Sequence, residues 1–168
     1  MNRAISSEER FVVFRLGKTE SALPISDVRE IVALPALAKP PGLPPLMMGF
    51  LNLEGAAIPV IRLDHLFDLP EPDPDPYTPL VILKTGNPPL ALLVDGIVEV
   101  MTVVVDAVLP VQEAHTFNDC AVGEIAVAGK AISILSVDRL LLEKERQSVV
   151  EFQAMEQKRL REVEGIAE

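Results

Sequence analysis

Gly49-Phe50-Leu51-Asn52-Leu53-Glu54-Gly55-Ala56-Ala57-Ile58-Pro59-Val60-Ile61-Arg62-Leu63 sets two apolar runs on either side of a Glu-Gly pair. Glycine takes φ > 0 without the clash that a Cβ brings, and both flanking runs are rich in strand formers. The segment therefore predicts a hairpin turned tightly at Glu54-Gly55. Arg62 stands well down the return strand from such a turn, about 20 Å away at about 3.3 Å per residue, so Glu54 and Arg62 are expected in separate environments.

Runs of the same kind fill the chain. Phe11–Leu16 and Ala22–Ile25 flank Gly17-Lys18-Thr19-Glu20, Ser26 is placed to cap a short helical turn through Arg29, and Glu30–Leu34 is extended again. A proline-stiffened loop, Pro35–Pro45, leads into the hairpin. Leu80–Lys84 and Pro89–Val94 flank another turn, Ile97–Val104 is apolar apart from Glu99, and Cys120–Val127 and Ala131–Leu135 flank Ala128-Gly129-Lys130. About ten strands at this spacing predict a mainly β fold of the barrel or sandwich type. Between the fifth and sixth lies an acidic linker, residues 64–79, in which Glu71-Pro72-Asp73-Pro74-Asp75-Pro76 can sustain neither a ladder nor a helix. The chain thus divides, by sequence, into two consecutive lobes of about five strands each.

From Val137 the pattern changes. Asp138 to Glu164 contains no proline or glycine, and Leu141, Leu142, Val149, Phe152, Met155, Leu160 and Val163 share one broad helical face interrupted by Glu145 and Glu156. Residues 143–168 are expected to form an amphipathic helical extension, with a face suited to self-association or docking. The first ten residues are expected to be flexible.

Composition excludes several classes of function. A net charge of −10 repels phosphate backbones, so nucleic acid is not an expected partner. A single cysteine, Cys120, rules out an intramolecular disulfide and fits a reducing compartment. Residues 1–10 hold no apolar core of signal-peptide length, and no apolar run reaches the roughly 18 residues of a membrane span. A cytoplasmic protein without membrane insertion is expected.

Catalytic motifs are missing. There is no dinucleotide or phosphate-binding glycine loop and no G-x-S-x-G elbow, and no cofactor is expected. Asp95-Gly96 reads as a strand corner in which Asp accepts backbone hydrogen bonds. His115, Asp119 and Cys120 form the one grouping with metal-ligand character, but it supplies too few ligands for structural zinc. His65 reads as an ordinary surface histidine. A β-barrel protein with metal-dependent or hydrolytic activity around Asp95, His115 and Cys120 is the alternative to a non-catalytic binding module.

The hairpin, with the blocks Phe11-x-x-Phe14-x-Leu16-Gly17, Ala22-Leu23-Pro24-Ile25-x-x-Val28-x-Glu30-Ile31-Val32, Leu92-Leu93-Val94-Asp95-Gly96-Ile97-x-Glu99-Val100 and Ala131-Ile132-Ser133-Ile134-Leu135, resembles the CheW-like domain family over residues 11–142. Glu54 stands where that family usually has Arg, and Arg62 where it usually has Asp. The resemblance implies a fold of two five-stranded SH3-like β-barrel lobes with short helices. It also implies a non-catalytic signalling adaptor that couples chemoreceptors to a CheA-type histidine kinase. On that pattern Val28, Glu30, Ile31, Gly49, Glu54, Gly55, Val81, Ile97 and Val98 would contribute to docking the receptor cytoplasmic tip and the regulatory domain of the kinase. For Val28 and Ile31 a plain core role stands beside the contact role.

Overall fold

The computed structural model describes residues 7–70, 73–110 and 120–167. Among these run ten strands: β1 (Glu8–Leu16), β2 (Thr19–Pro24), β3 (Val28–Ala33), β4 (Met47–Leu53), β5 (Ala56–Arg62), β6 (Pro79–Gly86), β7 (Pro89–Leu93), β8 (Gly96–Val104), β9 (Ala121–Val127) and β10 (Lys130–Leu135). A short helix α1 (Leu63–Leu66) follows β5, and the long helix α2 (Glu143–Ala167) ends the chain. Two expectations shift at the edges. Glu8, Glu9 and Arg10, assigned to a flexible terminus, extend β1 by pairing with Val104, Val103 and Thr102. The turn after β2 is a 3₁₀ turn at Ile25–Asp27, and Ser26 makes no capping bond.

The strands form two five-stranded sheets, ordered β8-β1-β2-β10-β9 and β3-β6-β7-β5-β4. Both lobes draw on both halves of the chain, which corrects the consecutive division expected from the acidic linker. That linker joins β5 to β6 inside one sheet. The chain changes sheet elsewhere, through the 3₁₀ turn between β2 and β3 and through Val94-Asp95 between β7 and β8. Parallel pairings, β5 with β7 and β10 with β2, complete each exchange.

Each sheet curls toward a barrel, but no ladder joins its two edge strands. Past β3, Ala38 exchanges both backbone bonds with Phe50 of β4, at 2.9 and 2.8 Å. Past β8, Leu109 does the same with Glu124 of β9, at 2.8 and 2.9 Å. In both lobes the segment leaving one edge strand thus bends back to make a single bridge to the other. The expected barrels are present as curled sheets stitched at one point.

Three apolar clusters follow from the two-residue period of the strands. Phe11, Val13, Ile125, Ile132 and Ile134 fill the first lobe. Leu51, Ile58, Val60, Leu80, Ile82 and Leu93 fill the second. The third lies between the lobes and combines Phe14, Leu16 and Leu23 of one sheet with Phe50, Ile61, Val81, Leu83 and Leu92 of the other. In β6 the four residues Leu80–Leu83 are all buried and alternate between two clusters, which explains an uninterrupted apolar run.

Helix α2 lies across β4 and β5. Glu145 Oε1 accepts the Leu142 N–H at 2.8 Å, a reach-back that satisfies one donor at the helix start. Val149 is buried in the inter-lobe cluster, contributing about 2 kcal/mol by burial, and Phe152 and Leu160 pack beside it. The expected apolar face is thus divided: Leu141 and Val149 are core, whereas Leu142, Met155 and Val163 remain exposed. β7 pairs with β5 only at Val60–Arg62. At Ala57 two glutamines of α2 take the place of a strand. Gln157 Oε1 accepts the Ala57 N–H at 2.9 Å, its Nε2 donates to the Gly55 carbonyl at 2.8 Å, and Gln153 Nε2 donates to the Ala57 carbonyl at 3.1 Å.

Candidate protein-interaction site

Val28 and Ile97, from different sheets, both border the inter-lobe cluster. Val28 opens β3, Ile97 lies near the start of β8, and both are half-buried against the inter-lobe cluster. Ile31 is the direct antiparallel partner of Val81, so the two side chains share a face. Val81 is fully buried while Ile31 is 38 % exposed, and at this sheet edge Ile31 alone of the pair reaches solvent. Val81, expected as a contact residue, offers no surface, because β6 is covered on both faces. Glu30 and Val98 are exposed, each on an edge strand.

The hairpin turns where its sequence says it should. Leu53 pairs with Ala56, leaving Glu54 at φ 54 and Gly55 at φ 90 as the two turn residues. Both central residues at positive φ define the turn whose twist matches the strands. Asn52 Oδ1 accepts the Gly55 N–H at 2.9 Å and locks it. Gly49, by contrast, is buried, and a Cβ there would stand 2.6 Å from the Ala38 carbonyl oxygen. The missing Cβ admits the stitch between Ala38 and Phe50, and Gly49 offers no surface of its own.

The two charge reversals sit apart and have different partners. Glu54, with a side chain 80 % exposed, reaches Arg29 at 3.4 Å, and Arg29 also lies 3.7 Å from Glu30. Arg62 grips Asp64 with two bonds, at 3.2 Å from Nε and 3.0 Å from Nη2, in a largely buried pair just ahead of His65. Asp64 Oδ1 also accepts the His65 N–H at 2.8 Å.

The alternative chemistry finds no support. Asp95 is a strap at the crossing from β7 to β8: its Oδ2 accepts the Gly17 N–H at 2.6 Å and its N–H donates to the Arg15 carbonyl at 2.9 Å. Cys120 is fully buried, and His115 and Asp119 lie outside the described residues. Among the described residues no cluster of three His, Cys, Asp or Glu side chains is placed to hold a metal ion, and no helix is long and apolar enough to cross a membrane.

Sequence reasoning missed Arg29, Gln153 and Gln157. Arg29 looks like any strand-edge cation until the sheet order brings β3 to the hairpin tip. The glutamines carry one faint signal, a four-residue spacing that puts both on one helical flank.

Comparison with known proteins agrees with this architecture. The family model for the CheW-like domain matches residues 10–145. A probable chemotaxis protein CheW of Rhizobium etli is 26% identical over 143 residues, covering 84% of this chain and 92% of that protein. Chemotaxis protein CheW of Bacillus subtilis is 26% identical over 156 residues, covering 92% of this chain and all of its own length. The crystal structure of the scaffolding protein TtCheW from Thermoanaerobacter tengcongensis superposes with a TM-score of 0.74 at 26% identity, over 83% of this chain and 97% of that one. With the stitched paired sheets and the Glu54-Gly55 hairpin described above, the match over residues 10–145 makes this chain a member of the CheW-like domain family.

Proposed function

We propose that the chain is a non-catalytic chemosensory scaffold that couples chemoreceptor cytoplasmic tips to the regulatory domain of a CheA-type histidine kinase in the cytoplasm. The observation that carries this reading is the family match over residues 10–145, supported by relatives named as chemotaxis and scaffolding proteins. Val28, Glu30, Ile31, Ile97 and Val98, with the hairpin tip at Glu54-Gly55, supply the docking contacts. Half-buried apolar side chains ringed by charge are the composition of a moderate-affinity interface. Exposed Met155 and Val163 on α2 support a self-associating state as part of the same reading.

Titration calorimetry of the full chain against kinase regulatory domains and receptor tips from the same genome tests it. Association at about micromolar Kd or tighter is expected with at least one of them. No heat with any of them overturns the proposal.

A further inference from the structure

We infer that the flank of the β4–β5 hairpin is a helix-docking seat which α2 fills in cis, and that an amphipathic helix of a binding partner competes with the C-terminal half of α2 for it. The inference concerns the chain's own packing and does not depend on which pathway it serves.

The seat has a defined chemistry. Along β5, the Ala57 N–H and carbonyl and the Gly55 carbonyl point away from β4, beyond the reach of β7, which pairs no earlier than Val60. They require a donor and acceptor set from outside the sheet. Gln153 and Gln157, one helical turn apart, provide it, and Phe152 and Leu160 lie against the apolar floor. A helix with two carboxamides at i and i+4 flanked by apolar residues is what the seat recognises, which is the helix-in-groove mode of binding.

The cis occupant fits its seat poorly toward the C-terminus. Glu156, on the seat-facing side, is 3 % exposed and needs the Arg159 guanidinium to satisfy both oxygens, at 3.1 and 2.8 Å. The same pairing raises the Arg159 pKa above its ordinary value. Beside this pair lies a cavity of about 200 Å³ lined by Ala36, Ala38, Phe50, Leu51, Asn52 and Leu160. Beyond Leu160, which packs on the core, Arg161, Glu162 and Val163 are all exposed. The N-terminal end of α2 is anchored differently, because Val137, Leu140, Leu141 and Val149 are buried in the inter-lobe cluster. Peeling therefore starts at the C-terminal end and stops near Val149. A partner helix that fills the cavity suits this partial opening, whereas exchange with a second copy requires the buried anchors to be withdrawn as well.

The test uses the full-length chain and a fluorescent synthetic peptide of residues 143–167. Gln153→Ala/Gln157→Ala loosens the cis helix while leaving the β5 edge intact, and Glu156→Leu replaces the buried carboxylate with an apolar side chain at the cavity wall. Because a tethered helix competes at an effective concentration on the order of millimolar, the peptide is expected to bind the wild type weakly. Binding should be about tenfold tighter to the double variant and about fivefold weaker to Glu156→Leu. Hydrogen exchange of the wild type should release amides of residues 153–167 before those of β4 and β5. Equal peptide affinity for all three chains, exchange of α2 only together with β4 and β5, or an α2-exchanged dimer of the double variant by light scattering would each overturn the inference.

Discussion

The Glu54 carboxylate stands 3.4 Å from the Arg29 guanidinium, joining the tip of the β4–β5 hairpin to β3, the opposite edge strand of the same sheet. The family's usual arginine at this position would face Arg29 as a like charge, so the reversal at Glu54 is matched within the chain. Both side chains are largely exposed, and such pairs couple by about 0.5 kcal/mol. A double-mutant cycle on Glu54 and Arg29 should return a coupling of that size, and the cycle on Glu54 and Arg62 should return none.

Glu54→Arg should shift Tm by less than about 2 °C, because exposed charges contribute little to stability. The same variant should change affinity for a kinase or receptor partner by about tenfold, since charge at an interface rim selects partners. Thermal melts and calorimetry on one preparation separate the two effects.

Glu54 also holds φ 54, a conformation that costs a residue with a Cβ about 1 kcal/mol, and Asn tolerates it better. Glu54→Asn creates an Asn-Gly turn of the favoured type and should stabilise the fold by about 0.5 kcal/mol in urea titration, despite the lost ion pair.

Gly49→Ala puts a Cβ 2.6 Å from the Ala38 carbonyl oxygen, an atom fixed by the stitch to Phe50. The nearest atom is backbone, and Leu37 Cβ and Lys39 Cγ crowd the same position at 3.2 Å. A loss of about 2 kcal/mol or more is expected by chemical denaturation.

Arg62→Ala leaves the Asp64 carboxylate, whose side chain is only 7% exposed, without its guanidinium. Removing one member of a buried pair costs about 3 kcal/mol. Arg62→Asp, which restores the residue usual in the family, should cost more still, because it sets a second carboxylate beside Asp64. Ranking the three chains by denaturation midpoint checks both statements.

Strand positions were legible because apolar alternation and turn residues are local signals: Leu53, Glu54, Gly55 and Ala56 fix their hairpin without reference to the rest of the chain. Strand partners were not. Nothing within β2 distinguishes pairing with β10 from pairing with β3, so the acidic linker was read as a boundary when the true crossings are a 3₁₀ turn and the Asp95 corner. The candidate site shared that fate. Ile31 and Val81 look alike in sequence and differ in exposure only because one is on an edge strand and the other is on the strand just inside it, paired on both sides. In α2 the apolar period was clear, but the task of Gln153 and Gln157 depends on a gap in the β5–β7 ladder that no single element reveals.

The exchange of strands between lobes carries a mechanical consequence. Neither lobe is a contiguous length of chain, so a nick within the acidic segment after α1 yields fragments that each hold strands of both sheets, and they should elute together until denatured. For the same reason one lobe cannot swing away from the other without breaking a crossing or the apolar layer between them. Two partners bound one to each lobe would therefore be held at a constant separation, with the protein as a rigid spacer between them.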